Sequence, residues 1–167
     1  MTDLGPLVQA VSEFAARAAE KLRGQASVAS EVLVFANTSP HPRFSQSAVV
    51  PMRRPTSDTA ALVQATVMGL RSIYQPGFQL IKARVMLLCL VPGSLNQGEL
   101  DLEPGTTGQR AKLMAAIDAL NVKYGKGTVH LASSGIDGRT CQWGMRRERL
   151  TPGYTTAWGD MPVAKAV

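Results

Sequence analysis

The chain has 167 residues, 45% of them apolar and 18% charged, with a formal net charge of +6. This length fits one ordinary domain or a small domain with an appendage, and the apolar share is enough to build a core. The basic surplus leans toward a polyanionic partner, against the plainer reading of a soluble protein with a basic surface. Cys89 and Cys141 are too few for a disulfide framework. The longest apolar run, 85–91, is too short to cross a bilayer, and the opening "MTDLGPLVQ" lacks signal-peptide character. A cytoplasmic protein with no membrane contact is expected.

Residues 5–23 carry helical periodicity, with Leu7, Val8, Val11, Phe14, Ala15, Ala18 and Leu22 on one face. Pro6 suits the first turn, Glu13 and Arg17 pair at i,i+4, and Gly24 ends the helix. Residues 27–38 predict a strand, which "SPHPR" interrupts. Residues 44–53 predict a second strand. Phe44, Gln46, Ala48 and Val50 take one face, and Ser45, Ser47 and Val49 the other. Pro51 places this strand at an edge or a bulge. Thr56 or Ser57 is expected to cap a second helix, with Asp58 in its first turn and Leu62, Val63, Val67, Leu70 and Ile73 buried.

Residues 79–91 give the strongest strand signal. Lys82 and Arg84 share a face with Leu80 and Met86, while Ile81, Ala83, Val85, Leu87 and Cys89 take the face that helices should cover. The order helix, strand, strand, helix, strand implies an α+β unit: two layers, with two helices on one face of an antiparallel sheet. The other face is then open and carries Lys82, Arg84 and small hydroxyls.

Residues 92–108 hold four glycines and two prolines and read as a linker. Residues 109–123 predict a third helix with Leu113, Met114, Ile117 and Leu120 as its buried stripe. Residues 128–133 predict a strand and 141–145 a hairpin partner, together a small α/β tail region. The expected organisation is a domain at 1–92, a linker at 93–108 and an accessory region at 109–167.

The charges are unevenly placed. Arg71, Lys82 and Arg84 stand in 61–94 without an acid, whereas Glu99, Asp101, Glu103 and Asp118 make the next stretch acidic. No constellation supports catalysis, a metal or a cofactor. Asp101 and Glu103 alternate, but in a glycine-rich linker. "YGKGT" at 124–128 follows a helix and lacks the lysine-hydroxyl pair of a P-loop, so it reads as a turn. Lys123 and Lys126 remain candidates for contact with a phosphate. His130 reads as structural. Trp143 beside Arg146, Arg147 and Arg149 supports two readings equally: a nucleic-acid surface, or arginine stems covering a small core.

Several stretches carry a resemblance. "AARAAEKLRGQ" at 15–25 is similar to the opening helix of the little-finger domain of Y-family DNA polymerase V catalytic subunits, the UmuC type. "MLLCLVPGSLNQGELDL" at 86–102 resembles the end of that domain and the segment after it. "LMAAIDALNVKYGKGTVHLASSGI" at 113–136 and "WGMRRERLTPGYTTAWGDMP" at 143–162 resemble the family's C-terminal region.

The resemblance implies a non-catalytic, DNA-backbone-binding part of a translesion polymerase acting in SOS damage tolerance. Its catalytic carboxylates would lie in a palm that this chain does not match. The fold implied is little-finger-like but lacks the family's first strand, which leaves a sheet edge open to self-association. Ser45, Ser47, Lys82 and Arg84, with Arg43 and the neighbouring Arg53 and Arg54, would meet primer-template DNA. Lys123, Lys126, Arg146 and Arg147 are further candidates.

The family's clamp-binding peptide runs glutamine, leucine, polar, leucine, phenylalanine. Here Leu100 and Leu102 match, Gln97 stands two residues early and Glu103 replaces the aromatic, a loss worth about 2 kcal/mol at a buried anchor. Implied partners are therefore DNA and, through a degenerate peptide and the tail, a sliding clamp, a recombinase filament and an accessory polymerase subunit. An inactive structural remnant is the remaining alternative.

Overall fold

The computed structural model describes residues 3–38, 44–94 and 107–135, with Trp143, Gly153, Gly159 and Met161. Helix α1 spans Leu4–Gly24, strand β1 Ser27–Thr38, strand β2 Ser45–Thr56, helix α2 Thr59–Ile73, strand β3 Leu80–Pro92 and helix α3 Thr107–Tyr124. The sheet order is β2-β1-β3, with both pairings antiparallel. Helices α1 and α2 cover one face, α1 mainly over β3 and α2 over β2. The expected two-layer α+β arrangement is what forms.

The core lies between these layers. Leu7, Val11, Ala15, Ala19 and Leu22 of α1 and Leu62, Ala65, Leu70 and Ile73 of α2 meet Ala29, Val32, Val34 and Ala36 of β1. Ala48 and Val50 of β2 and Ala83, Val85 and Leu87 of β3 pack at its margin. Phe44 and Phe78 stack at 4.6 Å and close one end. The Phe44 and Thr38 amides seal the hairpin, donating to the Thr38 hydroxyl and the Phe44 carbonyl respectively.

Four local expectations are corrected. The α2 cap is Asp58, whose carboxylate accepts from the Ala61 amide at 3.0 Å, while Thr56 accepts from the Asp58 amide. Leu80 is buried and Ile81 is 56% exposed, the reverse of simple alternation. The cause is a register shift: Asn37 pairs with Lys82 but Thr38 pairs with Leu80, so Ile81 is the extra residue. Cys89 is likewise exposed, at a φ of 50° opposite the irregular stretch of β1. Residues 128–133 form no strand. Asn121 instead exchanges two side-chain hydrogen bonds with the Val129 backbone, and a 3-10 turn follows at Ala132–Ser134.

Pro51 sits both at an edge and beside an irregularity. The ladder steps from Glu31↔Pro51 to Ala29↔Thr56, leaving 52–55 bulged out. Pro51 and Pro55 lack the amide hydrogen that a regular ladder would use.

Gly69 marks the closest approach of α2 to the sheet. A Cβ there would stand 3.0 Å from Val50 Cγ2 and 3.1 Å from Val34 Cγ2. Alanine would gain up to about 1 kcal/mol of helix propensity. It would lose more by overpacking, typically about 1–3 kcal/mol. Gly69→Ala is therefore expected to lower stability by about 1 kcal/mol, and Gly69→Val by more, read from urea midpoints at unchanged m-value.

Helix α3 docks on the helical layer by charge. Arg23, at the end of α1, donates from Nε and Nη2 to the two Asp118 oxygens, each at 2.7 Å. Its Nη1 donates to the Ser57 carbonyl and the Thr59 hydroxyl, each at 2.8 Å. Arg110 lies 3.5 Å from Asp58. Met114 is the one large apolar residue of α3 that is buried, at 5% exposure. The expected apolar stripe fails here: Leu113 is 55% and Leu120 42% exposed.

Candidate nucleic-acid interface

The face of the sheet that α1 and α2 do not cover is organised by register. Because side chains alternate, the residues opposite buried Val32, Val34 and Ala36 are Glu31, Leu33, Phe35 and Asn37. Cross-strand partners extend each into a row: Ser45–Asn37–Lys82, Ser47–Phe35–Arg84, Val49–Leu33–Met86 and Pro51–Glu31–Leu88.

The face is therefore divided. One end presents two cations, two serine hydroxyls and an amide around the Phe35 ring, and Ser45, Ser47, Lys82 and Arg84 are all exposed there. The other end is apolar, with Val49 and Met86 about half exposed.

Lys82 and Arg84 are two residues apart on one strand, about 6.6 Å of rise, so each can meet its own phosphate. Glu31 pairs with Leu88, four residues from Arg84 along β3 or roughly 13 Å, beyond a physiological Debye length of about 8 Å. The basic end keeps its sign. The Asn37 Oδ1 atom, between Ser45 and Lys82, is shielded from solvent and has no hydrogen-bond partner among the described residues.

The structure thus brings Ser45, Ser47, Lys82 and Arg84 together. Arg53 and Arg54 lie in the bulged part of β2, on the edge beyond the apolar end, Arg53 exposed and Arg54 half-buried. Lys123 lies in the last turn of α3 and Lys126 just beyond it, and α3 is tied to the helical layer through Asp118 and Arg23, so both lysines belong to the layer opposite the open face. Lys123 lies over the Tyr124 ring at 5.1 Å. Arg43, Gln97, Leu100, Leu102, Arg146 and Arg147 fall outside the described residues, as does the hairpin partner expected at 141–145 apart from Trp143.

Sequence reasoning missed Phe35 and Asn37. The alternation of β1 about Val32, Val34 and Ala36 was the available signal. It also left Trp143 between two roles, whereas its ring packs edge-on against Phe14 of α1 at 5.7 Å. His130 bridges two turns, with its ring nitrogens 2.8 Å from the Gly127 carbonyl oxygen and 2.9 Å from that of Gly135.

No group of three or more His, Cys, Asp or Glu among the described residues is placed to hold a metal ion. No described helix is long and apolar enough to cross a membrane.

Residues 1–100 match the impB/mucB/samB family C-terminal domain, and residues 111–164 match a domain of unknown function, DUF4113. Protein UmuC of Salmonella typhimurium is 38% identical over 165 residues, which cover 96% of this chain and 38% of that protein. Protein ImpB of Salmonella typhimurium is 37% identical over 99% of the chain and 39% of its own length. Protein MucB of Escherichia coli is 36% identical over 96% of the chain and 38% of its own length. The chain thus spans under two fifths of the length of these relatives, and its first unit matches the C-terminal domain of their family. With nearly its whole length aligned at this identity and its first unit matched as a domain, the chain belongs to the impB/mucB/samB family.

Proposed function

We propose that the basic end of the open sheet face binds the phosphate backbone of primer-template DNA, as the non-catalytic DNA-holding part of a translesion polymerase in cytoplasmic damage tolerance. The observation that carries this reading is the pair of rows Ser45–Asn37–Lys82 and Ser47–Phe35–Arg84 on a face that no described element covers. Two cations with flanking hydroxyls suit phosphate oxygens and offer little base-edge readout. Arg43, between β1 and β2 in sequence, and Arg53 and Arg54 on β2 would extend the same contact.

In this reading residues 1–92 hold DNA, 93–108 tether, and 109–167 serve protein partners. Lys123 and Lys126 face away from the duplex.

Sequence independence tests the proposal. Anisotropy titrations with two primer-templates of unrelated sequence should agree within about twofold, because phosphate contacts carry no base information. A preference above tenfold for one sequence would count against backbone binding.

Clamp, recombinase and accessory-subunit contacts belong to the linker and tail in this proposal. Pulldown with each partner, comparing the chain with a Leu100→Ala, Leu102→Ala variant, separates the clamp from the other two.

Self-association is placed at the outer edge of β3. There 85–91 offers seven residues without a charge, proline or glycine, while the β2 edge is blunted by Pro51, Pro55 and the bulge. Leu88→Lys should abolish any concentration-dependent increase in sedimentation coefficient.

A further inference from the structure

Helix α3 is mounted with its polar side inward. Arg110, Met114, Asp118 and Asn121 lie on one face at i, i+4, i+8 and i+11, and the three polar residues among them make its ion pairs and turn contacts. The residues at i, i+4, i+7 and i+11 from Leu113 form a second stripe: Leu113, Ile117, Leu120 and Tyr124. Leu113 is 55%, Leu120 42% and Tyr124 62% exposed, and Ile117 is half-buried. A solitary surface helix normally turns such a stripe toward the core. Here the docked face is already filled by the Arg23–Asp118 pair and the Asn121–Val129 bonds, so the apolar stripe faces solvent.

The charges bordering the stripe have one sign. Arg110 flanks it on the docked side, 58% exposed, and Lys112 and Lys123 flank the other side, both exposed. Asp118 is the only acid of α3, and it is consumed by Arg23. A second copy of this helix would set lysines against lysines, which disfavours self-pairing.

We propose that the Leu113–Ile117–Leu120–Tyr124 stripe is a docking surface for an acidic amphipathic helix of a partner protein, laid along α3 with its apolar face on the stripe and its carboxylates on Lys112 and Lys123. Apolar anchors at i, i+4, i+7 and i+11 are the spacing by which one helix grips another. The one-signed border supplies orientation and partner choice. This surface lies on the layer opposite the open sheet face; the proposal rests on the reading of 109–167 as the partner-binding region and not on DNA contact by that face.

The test uses the whole chain and three probes: a labelled helical peptide with a leucine stripe flanked by glutamates, the same peptide with lysines replacing the glutamates, and vesicles of phosphatidylglycerol. The expected result is binding of the acidic peptide at least about tenfold tighter than the basic one, with amide shifts confined to α3 and its flanks. Leu113→Ser with Leu120→Ser should abolish it. Both side chains are exposed, and an unchanged circular dichroism spectrum will show that the variant is folded. Lys112→Glu with Lys123→Glu should transfer the preference to the basic peptide.

Equal affinity for the two peptides, binding to neither, binding to the vesicles alone, or acidic-peptide binding that survives the serine variant would each overturn the proposal.

Discussion

Arg23→Ala is expected to undock α3 and to cost about 2 kcal/mol, between the values for surface and fully buried ion pairs. The Arg23 side chain is 15% exposed and that of Asp118 28%, so solvent screens the pair only in part. Four of its hydrogen bonds are lost at once: two to Asp118, one to the Ser57 carbonyl and one to Thr59. Met114 is the only large apolar side chain of α3 that is buried, so little apolar burial remains to hold the helix in place. The consequence should be local. Hydrogen exchange of α3 amides should accelerate towards the unprotected rate, while β1 amides keep their protection. A double-mutant cycle with Asp118→Ala should return a coupling energy of about 1–2 kcal/mol. Full protection of α3 in Arg23→Ala would contradict the ionic account of its docking.

The second large effect concerns DNA. Lys82→Glu with Arg84→Glu should lower primer-template affinity by at least about tenfold near physiological salt, equally for all sequences. Both residues stand on the exposed face of an edge strand, so the change removes no core contact and stability should move little. The control is Lys112→Glu with Lys123→Glu, which makes the same change in net charge on the opposite layer. If the long-range field of the whole protein drove binding, the two variants would weaken it alike. Contact by the open face predicts a large loss from the first and a small one from the second, measured by anisotropy at fixed salt.

Most of the sheet was legible because its strands alternate cleanly. Ser45 and Ser47 opposite Ala48 and Val50, and Lys82 and Arg84 opposite Ala83 and Val85, follow from period two alone. The slip at Ile81 was not legible, because it depends on which residue of β1 each residue of β3 meets. The Asp58 cap was shifted by a residue or two for a similar reason: three candidate oxygens precede α2, and only the chain path selects one.

Helix α3 misled for a deeper reason. Periodicity locates an apolar stripe but not the direction in which it points. Here that direction is set by Arg23, 95 positions away in sequence from Asp118. The strand expected at 128–133 failed because Asn121 captures the Val129 backbone groups that a ladder would have used. Phe35 and Asn37 were within reach of the same alternation argument that found Lys82. The partnership of Trp143 with Phe14 links positions far apart in sequence and carried no local signal.

Contact between the basic end of the open face and DNA phosphates is best measured through the salt dependence of primer-template binding to the intact chain. Log K should fall linearly with log salt, with a slope of about −0.9 per phosphate neutralised, and the slope should be shallower by about 2 in Lys82→Glu, Arg84→Glu. A folded chain that binds with no salt dependence, or whose slope is unchanged by that double substitution, would contradict such contact.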